Sequence, residues 1–148
     1  MKINIDRILL ELESLPCYEE QIALQGVKGQ TDHFYGVGKL SDVGHKETEF
    51  VHPLFASLKY TNEILFKLNM CRSRVMKLSP KKCYTYHRDP SERMHIPLIT
   101  NENCMFIVDD KVYRYPADGN SYLINTTKKH TAINASSEDR YHIVGCVY

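Results

Sequence analysis

The sequence predicts a mainly β fold, a sandwich or barrel closed as a double-sheet jelly roll, with one or two helices at the N-terminal end. Three observations lead there. From Ser73 onward the chain is a succession of short runs rich in β-branched and aromatic residues, spaced at about 8–12 residues. Clusters of Pro, Gly, Asn and Asp separate those runs. Before residue 73, by contrast, apolar residues recur twice at helical rather than strand spacing.

The first helix is carried by Ile5, Ile8, Leu9, Leu12 and Leu15, with Asp6 near its start and Pro16 beyond its end. Gln21-Ile22-Ala23-Leu24-Gln25 then alternates like a strand, and Gly26, Gly29, Gly36 and Gly38 mark turns. Residues 41–53 are polar and read as loop. A second helix spans residues 61–69, with Thr61 as its cap and Ile64, Leu65 and Leu68 on one face. The expected strands are Arg74–Leu78, Cys83–Arg88, Met94–Thr100, Met105–Asp109, Lys111–Tyr115, Ser121–Thr126, Thr131–Ala135 and Tyr141–Tyr148. No internal repeat or linker interrupts them. The expectation is one domain over residues 1–148, with 1–70 as helical and strand support and 72–148 as the core.

Composition excludes several classes. Hydrophobic residues make up 43% of the chain, too many for disorder. Nineteen Lys and Arg stand against 18 Asp and Glu, a net charge of +1, which gives no electrostatic footprint for nucleic acid. No apolar run approaches the roughly 20 residues of a membrane span, and the opening residues lack the layout of a secretion signal. The five cysteines are odd in number and widely spaced, which fits free thiols in a reducing cytoplasm better than disulfides or a zinc clip.

Chemistry concentrates in four places. His87 and Asp89 are two residues apart, so a strand would project both from one face. An imidazole beside a carboxylate suits a divalent first-row metal, and two His with one carboxylate, leaving positions open, is the facial arrangement of non-haem iron(II) oxygenases. The plain alternative is a His and an Asp flanking a turn that begins at Asp89-Pro90. A second His must come from another strand, and His130, after the apolar run Tyr122–Ile124, fits; otherwise it is a polar loop residue after Lys128-Lys129. Arg140 shares a strand face with His142, Val144 and Cys146. A guanidinium there suits the far carboxylate of a diacid, because its planar fork makes two parallel hydrogen bonds; otherwise it ends the polar run 136–139. Arg93 and His95 are again two apart and face one side, either toward the same cavity or as a satisfied polar pair.

Taken in order, His87-Arg88-Asp89-Pro90, Arg93-Met94-His95-Ile96-Pro97-Leu98, Tyr122-Leu123-Ile124-Asn125, His130 with Asn134, and Arg140-Tyr141-His142-Ile143-Val144 resemble the aspartyl/asparaginyl β-hydroxylase family of 2-oxoglutarate/iron(II) oxygenases. The resemblance covers about half the chain. It implies a double-stranded β-helix of the cupin-like jelly-roll kind, and Fe(II), 2-oxoglutarate and O2 as cofactor and co-substrates. It implies His87, Asp89 and His130 as iron ligands, with Arg140 and His95 at the 2-oxoglutarate; Arg93 would meet a carboxylate of either ligand. The retained carboxylate ligand favours hydroxylation of an unactivated carbon, in an amino acid, a peptide or a protein side chain. The chain is similar to compact members from bacteria and their viruses, which implies a bacterial or virus-infected bacterial cytoplasm. Before Arg74 the match is weak, and the interval from His87 to His95 is shorter than in vertebrate members. Gln21, Gln25, Tyr35, Tyr84, Tyr86 and Arg93 are candidates for the substrate side. A competing expectation is a metal-holding cupin-like binding module without turnover. Another is a cupin-type isomerase or dioxygenase in which His95 or His142 joins the metal. Oligomeric state is not set by the sequence.

Overall fold

Two helices and eleven strands form the computed structural model, which describes residues 1–148. Helix α1 is Ile5–Leu12 and α2 is Lys59–Lys67. The strands are β1 Gln21–Ala23, β2 Gln25–Gly26, β3 His52–Pro53, β4 Met70–Leu78, β5 Lys82–Cys83, β6 Arg93–Ile99, β7 Cys104–Val108, β8 Lys111–Tyr113, β9 Tyr122–Ile124, β10 His130–Asn134 and β11 Arg140–Val147. A five-stranded sheet runs β1-β4-β11-β6-β9, a four-stranded sheet β5-β10-β7-β8, and β2 pairs with β3. All pairings are antiparallel. This is the double-sheet jelly roll that the strand pattern predicts.

The five-stranded sheet is covered on both faces. Ile22, Val75, Ile96, Leu98 and Ile143 pack with Ile8, Ile64 and Leu65 of the helices. On the opposite face Leu78 and Ile124 meet Phe106, Val108 and Ala132 of the smaller sheet. Burial on both sides explains why β4 and β11 are almost continuously buried instead of alternating. It also explains why any polar side chain on their inner face faces a cavity rather than bulk water.

Helix α1 starts where expected: the Asn4 side chain caps it by accepting from the Arg7 amide at 3.0 Å. Helix α2 begins two residues earlier than Thr61, and Thr61 is not its cap. Leu58 occupies that position and has no side-chain acceptor. The Glu11 carboxylate of α1 takes over, accepting from the amides of Tyr60 and Thr61 and from the Thr61 hydroxyl at 2.7–3.0 Å. Burial raises the Glu11 carboxyl, but those hydrogen bonds win and hold it below the ordinary range. Replacing this borrowed cap by Glu11→Ala lowers unfolding stability by about 1 kcal/mol, whereas Glu13→Ala, on an exposed side chain, leaves it nearly unchanged; urea titrations of both variants check this.

Two further expectations change. Residues 41–53 are not plain loop: 3-10 turns at Leu40–Asp42 and Glu47–Glu49 lead into β3. The strand expected over Cys83–Arg88 shrinks to β5 and a single bridge, His87 to His130. The segment still follows β10, through the Tyr84 amide to Ala132 O, but the Thr131 hydroxyl claims Tyr84 O and breaks the ladder. A register shift between Val144 and Cys146 marks a bulge opposite Arg72, whose φ is +51°. There Arg72 donates to the carbonyls of Gly36 and Gly38 at 2.6–3.2 Å. Gly36 has φ +77°, and an added Cβ would lie 2.6 Å from the Phe50 ring, so the turn requires glycine. No helix is long and apolar enough to cross a membrane.

Candidate metal centre

His87, Asp89 and His130 converge. Their donor atoms all lie within 4.8 Å of one another, and no other group of three or more His, Cys, Asp or Glu side chains comes as close. Asp89 Oδ1 is 3.4 Å from His87 Nε2, and Oδ2 is 3.4 Å from His130 Nε2. Ligands about 2.1 Å from one ion in adjacent octahedral positions sit about 3 Å apart, so the set fits a single first-row cation. Each ring is already turned for that task. His87 Nδ1 donates to Thr85 O at 2.6 Å and His130 Nδ1 to Lys128 O at 2.9 Å. A carbonyl only accepts, so Nδ1 carries the hydrogen and Nε2 presents its lone pair toward the shared point. The His87 and His130 backbones exchange both hydrogen bonds, and the Asp89 amide donates to Thr126 O, which fixes the three positions relative to β10.

Burial raises the Asp89 carboxyl, but the hydrogen bond with His130 and the Arg93 charge overcome it and hold Asp89 down at about 2. Asp89 is therefore an anion at any ordinary pH.

Arg93 is buried and already engaged. Its Nη1 is 2.9 Å from Glu47 Oε2, and its Nε is 3.7 Å from Asp89 Oδ2. Ser91 and the Cys146 thiol also donate to Glu47 Oε2. Contact with Cys71, burial and the neighbouring Glu47 all push the Cys146 thiol up, so it stays protonated. The sequence offers Arg93 either to a ligand carboxylate or as part of a satisfied polar pair; here its charge is balanced by Glu47, from a stretch that reads as polar loop.

His95 and His142 do not join the three metal-type donors; they pair with each other, Nδ1 to Nδ1 at 3.1 Å. Burial and then Arg140 push both well below the ordinary histidine range, so both are neutral. His142 Nε2 is buried without a partner. An orphaned lone pair costs less than an orphaned N–H, which makes His142 Nδ1 the donor to His95 and leaves the His95 Nε2–H free. A depressed histidine contributes stability above its unfolded value near 6.5, lost as pH falls. The metal-free protein thus loses more stability between pH 7 and pH 5 than its His142→Gln variant does, as measured by urea midpoints. His130, raised by Asp89 against the opposing effect of burial, shifts the other way but is common to both proteins.

Arg140 is 2% exposed. No hydrogen bond reaches its guanidinium, its Nε is fully buried without a partner, and its Cζ lies 5.5 Å from the centre of the Phe106 ring. An unpaired buried cation is costly unless a ligand completes it.

One cavity of about 730 Å³ takes in the three metal-type donors, Arg93, His95 and Arg140. Gln21 and Tyr84, expected on the substrate side, line it. Gln25, Tyr35 and Tyr86 do not. Gln25 is buried against Met70 O and the Ser73 amide, Tyr35 donates to Val43 O, and Tyr86 donates to Asp110 from an exposed position. Lys39, from the 36–41 segment, and Arg72 and Arg74, from β4, also line the cavity, although the sequence does not single them out as site residues.

The chain is similar to a cupin domain from Bordetella pertussis Tohama I, 15% identical, covering 52% of this chain and 80% of that one with a TM-score of 0.45. It is similar to a predicted oxalate decarboxylase from Thermotoga maritima, 16% identical over 57% and 72% of the two chains, TM-score 0.44. It is also similar to a protein from Photorhabdus luminescens, 16% identical, TM-score 0.43, where the match covers 51% of this chain and 61% of that one, less than two thirds of its length. No curated protein matches in sequence. The sequence profile described as aspartyl/asparaginyl beta-hydroxylase matches residues 8–147, nearly the whole length, and the chain belongs to that family.

Proposed function

We propose that the protein is an Fe(II)- and 2-oxoglutarate-dependent hydroxylase, with His87, Asp89 and His130 as the iron ligands and Arg140 as the anchor of 2-oxoglutarate. The observation that carries this reading is a partnerless buried guanidinium in the same cavity as a two-His, one-carboxylate set. Buried arginines that serve the fold have internal acceptors, Glu47 for Arg93 and the carbonyls of Gly36 and Gly38 for Arg72, whereas Arg140 has none.

Iron(II), when bound, supplies the O2 chemistry that protein side chains lack. The chain's own residues do the rest. The Nδ1 anchors of His87 and His130 hold the rings so that both Nε2 atoms, with the Asp89 carboxylate, would hold the iron. Arg93 and Glu47 brace the Asp89 carboxylate. Arg140 takes the distal carboxylate of 2-oxoglutarate in a forked hydrogen bond, and the His95 Nε2–H donates to an oxygen of the same molecule. Phe106, Ala132 and Val144 supply apolar wall that limits water at the co-substrate. The overall reaction consumes 2-oxoglutarate, O2 and a substrate C–H bond and yields succinate, CO2 and the hydroxylated substrate. The substrate is an amino acid, a peptide or a protein side chain. The reading takes residues 1–148 as one oxygenase domain, with 72–148 as its core and 1–70 as support. It places the protein in a cytoplasm, in line with five free thiols.

The test is succinate release from 2-oxoglutarate with iron(II) and ascorbate, over a panel of amino acids and peptides. Succinate above the metal-free control supports the reading; none, with or without the panel, assigns the chain to binding without turnover.

A further inference from the structure

Six basic side chains line the cavity, Lys39, Arg72, Arg74, Arg88, Arg93 and Arg140, against one carboxylate, Asp89. A divalent metal and a dianionic co-substrate cancel each other, so this excess persists when both are bound. Arg93 is balanced by Glu47, and Arg140 meets 2-oxoglutarate. Arg72 is held by the carbonyls of Gly36 and Gly38. Arg74 is left. It is 7% exposed, and its Nη1 donates to Gln21 Oε1 at 3.1 Å and Val37 O at 3.0 Å. Both partners are neutral. Its Nε is fully buried without a partner, and no carboxylate of the protein pairs with it. Burial and then the Arg72 and Arg93 charges lower it to about 10, so it remains a cation at neutral pH.

Position separates Arg74 from the co-substrate anchor. Arg140 lies opposite Leu78 on β4, whereas Val144 lies opposite Arg74. The two guanidiniums thus enter the cavity from rows about 13 Å apart along the strand. Gln21 sits beside Arg74 with its carbonyl engaged by the guanidinium and its amide N–H2 unengaged, which adds neutral donors next to the charge.

We propose that Arg74, with Gln21 beside it, is a second carboxylate-binding position that reads an acidic group on the substrate. This inference rests on the hydroxylase reading for the word substrate, but the anion site itself does not. With Nη1 given to Gln21 and Val37 and Nε buried, the Arg74 Nη2 donors and the adjacent Gln21 amide distinguish a carboxylate from its amide, because the amide brings a donor where an acceptor is needed and no charge.

The experiment is calorimetric titration of the manganese(II)-loaded protein, saturated with the unreactive 2-oxoglutarate mimic N-oxalylglycine. The probes are matched acid and amide pairs: aspartate and asparagine, glutamate and glutamine, and short peptides with free or amidated C-termini. At least one acid binds tenfold or more tightly than its amide. Arg74→Gln erases that preference while leaving N-oxalylglycine affinity within twofold, and Arg74→Lys keeps a weakened preference, which separates charge from the anchoring of Val37. Acids and amides that behave alike across the panel overturn the proposal, as does Arg74→Gln weakening N-oxalylglycine while sparing the acid preference. Succinate release is scored separately. Acid selectivity through Arg74 without succinate sinks the hydroxylase reading and leaves the anion site standing; succinate without acid selectivity does the reverse.

Discussion

Asp89→Ala and His130→Ala each reduce succinate release to the metal-free background while the protein stays folded. Each removes one of the three donors that converge at the site. Substitutions one step removed from a metal already cost about 10–100-fold in affinity, so loss of a ligand itself lowers metal affinity by on the order of 10²-fold or more. The fold survives because little else depends on these side chains: His130 gives up one hydrogen bond, to Lys128 O, and Asp89 gives up its contacts with the two histidines and Arg93. The His87 and His130 pairing is made by backbone atoms, and Arg93 keeps Glu47 when Asp89 is gone. Circular dichroism and a metal-binding isotherm on the same samples separate the two effects. Unaltered turnover in either variant contradicts the assignment of the ligands.

Arg140→Met separates co-substrate binding from stability, with opposite signs. Two charge-assisted hydrogen bonds are lost, at roughly 1.5–3 kcal/mol each, so the 2-oxoglutarate requirement rises by about 10²-fold or more while metal affinity holds. Yet the metal-free, ligand-free protein becomes more stable, by on the order of 1 kcal/mol, because an unpaired buried charge is replaced by an apolar chain beside Phe106 and Leu78. Urea unfolding without ligands and saturation kinetics with 2-oxoglutarate measure the two effects. A structural arginine would give the reverse pattern: lower stability and an unchanged co-substrate requirement. Such inversion is common where a site is built for a ligand rather than for the fold.

What was legible in the sequence follows from distance along the chain. Strand alternation carried Arg140 and His142 to one inner face, and the observed register keeps them there. The spacing of His87 and Asp89 was informative even though the strand around them shrinks to a bridge, because β10 holds the segment extended. Contacts made across long intervals were not legible. Glu47 reaches Arg93 from 46 residues away, out of a stretch that reads as solvated loop. Glu11 caps a helix 50 residues on, which left Thr61 as the nearest plausible cap in the sequence. Arg74 marked a strand start in the sequence, and only the return of the 36–41 segment over β4 reveals it as part of a cavity wall. Tyr35 and Gln25 had the chemistry of site residues but are spent on backbone partners.

The central claim is spatial, so diffraction tests it most directly. Crystals grown anaerobically with manganese(II) and 2-oxoglutarate, measured at the manganese absorption edge, locate the ion without reference to any assumed coordination. The account predicts a single strong anomalous peak bounded by His87 Nε2, an Asp89 oxygen and His130 Nε2, with the far carboxylate of 2-oxoglutarate forked onto Arg140. An ion bound elsewhere, or 2-oxoglutarate lying with Arg140 still unpartnered, would contradict it.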